Sequence, residues 1–220
     1  MSLETIQIET GPQPSATVIV LHGLGADGND FVPFVEELDL ASVGPVRYVF
    51  PHAPTMPVTI NGGYVMRAWY DILGANLQQR EDEAGLRRSV AAVTALIDAQ
   101  RQRGIAARRI VLAGFSQGCA VTLLTGLRHP ERLGGLVGMS GYLPLAHTLP
   151  AEGSPANADV PIFLAHGRSD PVVPFAAGKA TRDGLVAQGY PVEWHEYPMQ
   201  HSVCMEEIAD LGRWLSKVLA

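Results

Sequence analysis

Short apolar runs recur along the chain, separated by stretches in which apolar residues repeat at helical spacing. Several runs are continuous and β-branched, as in Thr17-Val18-Ile19-Val20-Leu21, which is typical of strands buried on both faces of a parallel sheet. The alternating Ile6-Gln7-Ile8 predicts an edge strand near the N-terminus. The other strands are predicted at residues 16–21, 46–50, 110–114, 135–139, 160–165 and 191–197.

Helical patterns lie between these strands. Apolar residues at 31, 34, 35 and 38 predict a helix that begins at a cap supplied by Asn29 or Asp30. Three more helices are predicted: a long one with Leu86, Val90, Val93 and Ile97 on one face, ending near Arg103-Gly104, one from Pro174 to Gly189, and one over about 205–218. The alternation predicts a doubly wound α/β fold, with a mostly parallel sheet flanked by helices and ligands outside the carboxyl ends of its strands.

Residues 55–80 do not follow this alternation. Asn61-Gly62 is a favoured hairpin turn, so a small two-stranded excursion from a single domain spanning 1–220 is predicted here. The segment contains Met66, Trp69 and Tyr70. One interpretation makes them, with Leu143, the wall of an acyl pocket. The other makes the segment's apolar residues a satellite hydrophobic cluster beneath a loop.

Composition excludes several classes of protein. The 220 residues are 47% hydrophobic and 17% charged, as in globular proteins. A formal net charge of −6 argues against nucleic acid as a partner, because nucleic acid selects for clustered lysine and arginine. No apolar run approaches the roughly 20 residues that span a bilayer, and residues 1–10 carry no secretory signal. The two cysteines lack framework spacing, so we expect a cytoplasmic protein with free thiols and no integral membrane association.

The sequence Gly-Phe-Ser-Gln-Gly at 114–118 lies between a predicted strand and a predicted helix. A serine between glycines at such a junction is typical of the nucleophile elbow, a strained turn that exposes the hydroxyl at a helix N-terminus. The unpaired N–H groups of that terminus favour negative charge, such as the oxyanion formed when a carbonyl is attacked. Ser116 is therefore the candidate nucleophile.

A serine nucleophile needs a histidine base, which comes last in the order serine, acid, histidine on α/β-hydrolase scaffolds. Of the five histidines after Ser116, only His195 and His201 follow every plausible acid. His195 lies within an alternating strand. His201 lies in the loop between that strand and the last helix, at the edge where Ser116 should emerge, and is the predicted base.

The acid must also lie at the carboxyl edge of the sheet. Asp170 follows the strand 160–165 through a short turn and meets this condition. Asp159 lies at the opposite end of that strand, and Glu196 belongs to a strand itself. Asp170 is therefore the predicted acid.

An oxyanion hole needs two N–H donors, one from the residue after the nucleophile and one from the loop after an early strand. Gln117 is the first. The glycines of Leu-His-Gly-Leu-Gly at 21–25 allow close approach to a ligand, which makes the N–H of Leu24 the second. His22 precedes the serine, so we expect it to make a structural hydrogen bond to the loop.

Metal and cofactor motifs are incomplete. His195-Glu196 has no second histidine, since residue 199 is methionine, and Asp27-Gly28-Asn29-Asp30 is followed by Phe31 where a calcium ligand belongs. Residues 21–26 lack the full dinucleotide fingerprint. No metal and no cofactor are predicted.

Six motifs in order resemble the bacterial carboxylesterases related to acyl-protein thioesterases, also called the phospholipase/carboxylesterase family. They are Leu-His-Gly-Leu-Gly at 21–25, Ile-Asn-Gly-Gly-Tyr at 60–64, Trp-Tyr-Asp at 69–71, Gly-Phe-Ser-Gln-Gly at 114–118, His-Gly-Arg-Ser-Asp-Pro-Val-Val-Pro at 166–174 and Tyr-Pro-Met-Gln-His at 197–201. The resemblance covers nearly the whole chain. It departs at Cys119, where the family usually has glycine, and at Ser202, where many members have glutamate.

The resemblance implies a small α/β hydrolase without a large lid that cleaves short- to medium-chain carboxylic esters through an acyl-enzyme. Its substrate would be a small-molecule ester or thioester, with acyl-protein thioesterase and lysophospholipase activities as alternatives. The triad falls on Ser116, Asp170 and His201, and the oxyanion donors on Leu24 and Gln117. A homodimer is a further expectation. The alternative that is not an enzyme is an inactive binding module with the same fold.

Overall fold

A seven-stranded sheet lies at the centre of the protein, for which a computed structural model describes residues 3–74 and 80–220. The strands of this sheet are β1 Thr5–Glu9, β2 Ala16–Leu21, β3 Val46–Pro51, β6 Ile110–Phe115, β7 Gly135–Met139, β8 Ile162–Gly167 and β9 Val192–Tyr197. A separate two-stranded sheet is formed by β4 Thr55–Val58 and β5 Tyr64–Arg67. The main sheet has the order β1-β3-β2-β6-β7-β8-β9, and all its pairs are parallel except β1 with β3. The predicted parallel α/β sheet with an added edge strand is confirmed.

Helices cover both faces of this sheet: α1 Phe34–Glu37, α2 Glu83–Gln102, α3 Gln117–Gly126, α4 Leu149–Glu152, α5 Phe175–Ala187 and α6 Met205–Val218. Successive residues of a strand point to opposite faces. Ile110 and Leu112 accordingly pack in the core with α2 and α3, whereas Val111 and Ala113 pack in the core with α1 and α6. The predicted bounds of α5 and α6, and the predicted end of α2, agree with these to within two residues.

The strand predicted at 160–165 begins two residues later, at Ile162, and ends at Gly167. Its parallel pairing with β9 runs from Ile162–Val192 to Gly167–Tyr197. The apolar run ends at Ala165, so it does not indicate that His166 and Gly167 continue the pairing with β9.

The predicted first helix is divided in two. A 3₁₀ turn at Gly28–Phe31 is capped by Asp27, which accepts a hydrogen bond from the Asn29 N–H over 2.8 Å. The prediction of Asn29 or Asp30 as the cap was therefore wrong. Pro33, which cannot donate a backbone hydrogen bond, separates this turn from α1.

The predicted hairpin within 55–80 is present as the antiparallel pair β4–β5. Its connection is longer than a two-residue turn, since a 3₁₀ turn at Thr59–Asn61 precedes Gly62 and Gly63, with φ of 66° and 80°. Residues 75–79 of the predicted excursion lie outside the described residues. Among the residues described, none of the helices has the length and apolar character needed to cross a membrane.

Candidate active site

Ser116 lies at the junction of β6 and α3 in a strained conformation, with φ 55° and ψ −116°. Its N–H donates to the Met139 carbonyl over 2.9 Å, which ties the turn to the neighbouring strand. Its side chain makes no capping bond to α3, so the hydroxyl is not held by its own helix. The local structure is the predicted nucleophile elbow.

The two glycines of the elbow are required by close packing between strand and helix. A Cβ at Gly114 would lie 2.2 Å from the Gly118 carbonyl oxygen, and a Cβ at Gly118 would lie 2.1 Å from the Leu21 carbonyl oxygen. Both clashes are with backbone, which cannot move without shifting β2 or α3. The elbow is therefore fixed by main-chain packing.

Asp170 and His201 meet where the loops after β8 and β9 adjoin. The Nδ1 of His201 lies 2.7 Å from Asp170 Oδ2. The other carboxylate oxygen accepts the N–H groups of Val172 and Val173 over 2.8 and 2.9 Å. The Asp170 side chain has no exposed surface, whereas that of His201 is 15% exposed. The carboxylate is thus held in place on both oxygens, and it orients the imidazole ring.

A cavity of about 510 Å³ brings Ser116 and His201 together. Its walls are mainly apolar, and Asp30 is the one acidic side chain among them. The His201 ring lies against Phe115, with centroids 4.7 Å apart. The cavity is lined by Gly23, Leu24, Ala26, Asp30, Phe31, Phe34, Phe115, Ser116, Val172, His201, Ser202, Val203 and Ile208. The structure therefore assembles the predicted serine, histidine and Leu24 around one space.

The N–H groups of both predicted oxyanion donors have no acceptor among the described residues. Gln117 is the first residue of α3, so its N–H has no partner within the helix. Within the described chain, the Leu24 N–H donates to no other group, while the next N–H, of Gly25, is bonded to the Arg67 carbonyl over 2.9 Å. Two backbone donors near Ser116 remain available to a ligand.

His22 fixes the loop that carries Leu24. The Ala53 N–H donates to His22 Nε2 over 3.0 Å, so that nitrogen is an acceptor and the ring proton is on Nδ1. Nδ1 donates to the Gly23 carbonyl over 2.7 Å. Burial lowers the pKa of His22 and keeps the ring neutral. The residue has the predicted structural role.

The Gln117 side chain is buried and connects the elbow to the segment after β5. Its Oε1 accepts the Trp69 N–H over 3.0 Å, and its Nε2 donates to the Tyr70 carbonyl over 2.8 Å. The Trp69 indole N–H donates in turn to the His22 carbonyl over 2.8 Å. Residues 69–70 therefore lock the elbow to the His22 loop.

The residues predicted to line an acyl pocket do not line this cavity. Trp69, Tyr70 and Leu143 are buried in the main core, at 2%, 3% and 5% exposure. Met66 is half-buried beside Gly25. The pocket-wall interpretation is corrected, and so is the satellite cluster, because the aromatic pair at 69–70 belongs to the main core. The walls of the cavity come instead from the other face of the sheet, notably from Phe31, Phe34 and Ile208. Their spacing in the sequence predicted that they are buried, but not that they line a cavity.

Other candidates from the sequence lie elsewhere. His195 contacts Glu193 and Asp210, at 3.0 and 3.4 Å. Asp159 forms an ion pair with Arg132. Within residues 3–74 and 80–220 no three His, Cys, Asp or Glu side chains converge where a metal ion could bind.

Cys119 packs directly beneath the elbow. A Cβ at Gly138 or Gly141 would lie 2.8 or 2.6 Å from its Sγ, so these glycines leave the space that the sulfur fills. Burial raises the pKa of the Cys119 thiol to about 12. The residue therefore acts as a small apolar side chain, as predicted.

Glu207 is a buried acid in the first turn of α6, next to the cavity residue Ile208. Neither carboxylate oxygen has a hydrogen-bond partner among the described residues. Burial raises the pKa of Glu207 to about 8, and the nearby Asp210 adds to this. At pH 7 the protonated, neutral form of Glu207 therefore predominates.

A parallel α/β sheet with a nucleophile elbow, an aspartate–histidine pair and free N–H groups at its carboxyl edge defines an α/β hydrolase, here a serine hydrolase. The comparison with known proteins is equally specific. The chain belongs to the phospholipase/carboxylesterase family, whose profile matches residues 3–219.

The relatives are thioesterases by name. Acyl-protein thioesterase 1 of Yarrowia lipolytica is 41% identical over 217 residues, which cover 96% of each chain. Acyl-protein thioesterase 1 of Cryptococcus neoformans is 37% identical over 235 residues, with 99% and 98% coverage. The crystal structure of Zea mays acyl-protein thioesterase 2 has a TM-score of 0.88 at 30% identity and 99% coverage of both chains. The predicted family is confirmed, but these relatives are fungal and plant proteins, so the bacterial part of the resemblance is not supported.

Proposed function

We propose that the protein is a thioesterase that releases long acyl groups from cysteine thiols of acylated proteins. The observation that carries the proposal is the cavity that Ser116 and His201 both line, with His201 bonded to a buried Asp170. The identity to acyl-protein thioesterases, near 40%, supports a thioester over a short-chain ester. The apolar walls at Phe31, Phe34 and Ile208 support an apolar acyl group.

In the first half of the reaction, Ser116 Oγ attacks the thioester carbonyl carbon while His201 Nε2 takes its proton. The carbonyl oxygen becomes an oxyanion that accepts the N–H groups of Leu24 and Gln117. Asp170 holds His201 in the tautomer with the proton on Nδ1 and stabilises the imidazolium. The C–S bond then breaks, the electron pair leaves with sulfur, and His201 protonates the thiolate.

In the second half, a water molecule attacks the acyl-serine carbonyl and gives its proton to His201. The same two N–H groups stabilise the second oxyanion. When this intermediate collapses, the C–O bond to Ser116 breaks and His201 returns the proton to Oγ. The products are the carboxylic acid and the free enzyme.

The decisive experiment compares thiol release from palmitoyl-CoA and a palmitoylated cysteine peptide with hydrolysis of p-nitrophenyl esters of increasing chain length. We expect kcat/KM to rise by up to about fourfold per methylene while the chain still enters the cavity, since burial of a CH₂ contributes about 0.8 kcal/mol. Ser116→Ala should abolish turnover and labelling by a fluorophosphonate probe. Ser42→Ala, at an exposed serine that does not line the cavity, is the matched control.

Each other outcome favours a different function. A preference for acetyl and butyryl esters, with no thiol released from the peptide, would indicate a short-chain carboxylesterase. Release of fatty acid from a lysophospholipid at a higher kcat/KM than from the peptide would indicate a lysophospholipase. Labelling of Ser116→Ala equal to that of the parent protein would remove Ser116 as the nucleophile.

A further inference from the structure

His166 is a fully buried histidine near the end of β8, four residues before Asp170. It does not line the catalytic cavity, and the proposed reaction does not use it. Its Nε2 lies 2.9 Å from the Val173 carbonyl oxygen and 3.5 Å from Asp170 Oδ2. The second distance is long for a hydrogen bond, but the side chains are buried, so the electrostatic attraction is little screened.

Val173 connects this histidine to the candidate acid. Its carbonyl faces His166 Nε2, and its N–H donates to Asp170 Oδ1 over 2.9 Å. The other carboxylate oxygen holds His201 Nδ1 over 2.7 Å. A continuous path of polar contacts therefore runs from His166 through the turn after β8 to His201.

The charge of His166 follows from its surroundings. Burial lowers the pKa of His166, and nearby His201 lowers it further, against the raising effects of the Val173 carbonyl and Asp170. Phe175 from α5 and Trp194 from β9 flank the ring, with centroids 5.9 and 6.4 Å away. A neutral ring with its proton on Nε2 suits the two acceptors that it faces, and it leaves the Asp170 charge to stabilise a protonated His201.

We propose that His166 is a positioning residue, whose Nε2–H holds the turn of Asp170 and Val173 so that the carboxylate keeps its bond to His201. The proposal rests on the proposed roles of Ser116, Asp170 and His201. The competing interpretation is that the ring only fills space between α5 and β9. The two differ in whether the N–H itself is needed.

Two substitutions separate the ring from its N–H. His166→Phe keeps an aromatic ring but removes the donor, and His166→Gln removes the ring but keeps an amide N–H near Nε2. We expect His166→Phe to lower kcat roughly 10- to 100-fold, the cost of misplacing a catalytic group by about 1 Å, with KM within about twofold because the cavity walls are unchanged. His166→Gln should recover at least half of that loss on a logarithmic scale.

A spectroscopic signature tests the same point without turnover. The His201 Nδ1–H that is bonded to a buried carboxylate should give a far-downfield proton NMR resonance. We expect this resonance to be lost or broadened in His166→Phe and retained in His166→Gln. Its assignment comes from its absence in His201→Ala.

The chain also offers a matched pair of glycines on α5. A Cβ at Gly178 would lie 2.3 Å from His166 Nδ1, whereas a Cβ at Gly184 meets nothing within 4 Å. Gly178→Ala should therefore displace the ring and reproduce the loss of kcat and of the resonance, while Gly184→Ala should alter neither. If His166→Phe does not fold, this pair tests whether the position of the ring matters, and near-parental kcat in His166→Gln then assigns the effect to the N–H.

The outcomes are distinct from those of the proposed function. If the parent protein reacts with a fluorophosphonate and Ser116→Ala does not, the nucleophile stands whatever His166 does. Parental kcat and an intact resonance in a folded His166→Phe, or in Gly178→Ala where that variant decides, would overturn the positioning role. A His166→Gln protein as impaired as His166→Phe would also overturn it, since ring packing would then explain the loss.

Discussion

At Ser116 the position of the side chain is set by backbone packing, whereas at His201 it is set by side-chain hydrogen bonds. Around the elbow, a Cβ at Gly114 or Gly118 would overlap main-chain atoms of α3 or β2. The backbone just before His201 is packed as closely, since a Cβ at Gly167 would lie 2.4 Å from the carbonyl oxygens of Met199 and Gln200. The His201 ring itself is held by its bond to Asp170 and by contact with Phe115.

This difference between the elbow and the His201 loop predicts that substitutions in the two regions affect different properties, stability in one and activity in the other. A change at the elbow must move a strand or a helix, so its cost falls on folding. A change in the loop alters one charged hydrogen bond at the protein edge, so its cost falls on the reaction. Substitutions of each kind should therefore give opposite patterns of melting temperature and kcat.

The largest effect is expected in the loop. Asp170→Asn keeps an acceptor for Val172 and Val173 but no longer favours the productive His201 tautomer, so kcat should fall roughly 10³- to 10⁴-fold. The melting temperature should stay within about 4 °C, since the packing is unchanged. The exposed Asp183→Asn is the control. A loss of folding together with activity would remove the contrast between the two regions.

Gly118→Ala should show the reverse pattern. The added Cβ would lie 2.1 Å from the Leu21 carbonyl oxygen, and we expect unfolding to become easier by about 3 kcal/mol, at the upper end for overpacking. Gly184→Ala, at an open helical position, should be neutral or stabilising by up to about 1 kcal/mol. Thermal unfolding followed by circular dichroism measures both. A melting temperature of Gly118→Ala equal to the parent's would show that the junction tolerates movement.

The effect that is smallest per unit of pH lies at the first turn of α6, close to the His201 loop. The folded pKa of Glu207, about 8, lies above the usual value, so the folded state binds more protons than the unfolded state between about pH 5 and 8. The free energy of unfolding should therefore fall as pH rises through this range, by at most about 1.4 kcal/mol per unit. Glu207→Gln should remove the dependence, and the exposed Glu206→Gln should not. An equal pH dependence in Glu207→Gln would assign it to other groups.

The fold and the positions of the candidate triad follow from signals that are local in the chain. Apolar runs fix the strands, and each candidate catalytic residue comes directly after one of them, at the edge where parallel strands end. The positions of Ser116, Asp170 and His201 could therefore be predicted, and the structure brings all three together. The contact of His166 with the Asp170 turn could not be predicted in the same way, because the predicted strand ends at residue 165, before His166.

The cavity walls could not be predicted this way. Trp69 has the composition of a pocket residue, but its indole N–H is taken by the His22 carbonyl and its backbone N–H by Gln117, contacts across about 47 residues of chain. Phe31 and Ile208 line one cavity because the segments that follow β2 and β9 pack on the same face of the sheet. Long-range topology decides both, and no local spacing encodes it.

The thiol of Cys119 carries a further consequence for the chemistry next to it. A thiolate close to an acylated serine can attack the acyl-serine carbonyl. The acyl group would then be transferred to the cysteine and remain on the protein as a thioester. Because burial raises the pKa of Cys119 to about 12, the sulfur stays protonated and poorly nucleophilic. In the proposed reaction, this cysteine, three residues after Ser116, therefore does not compete with water for the acyl group.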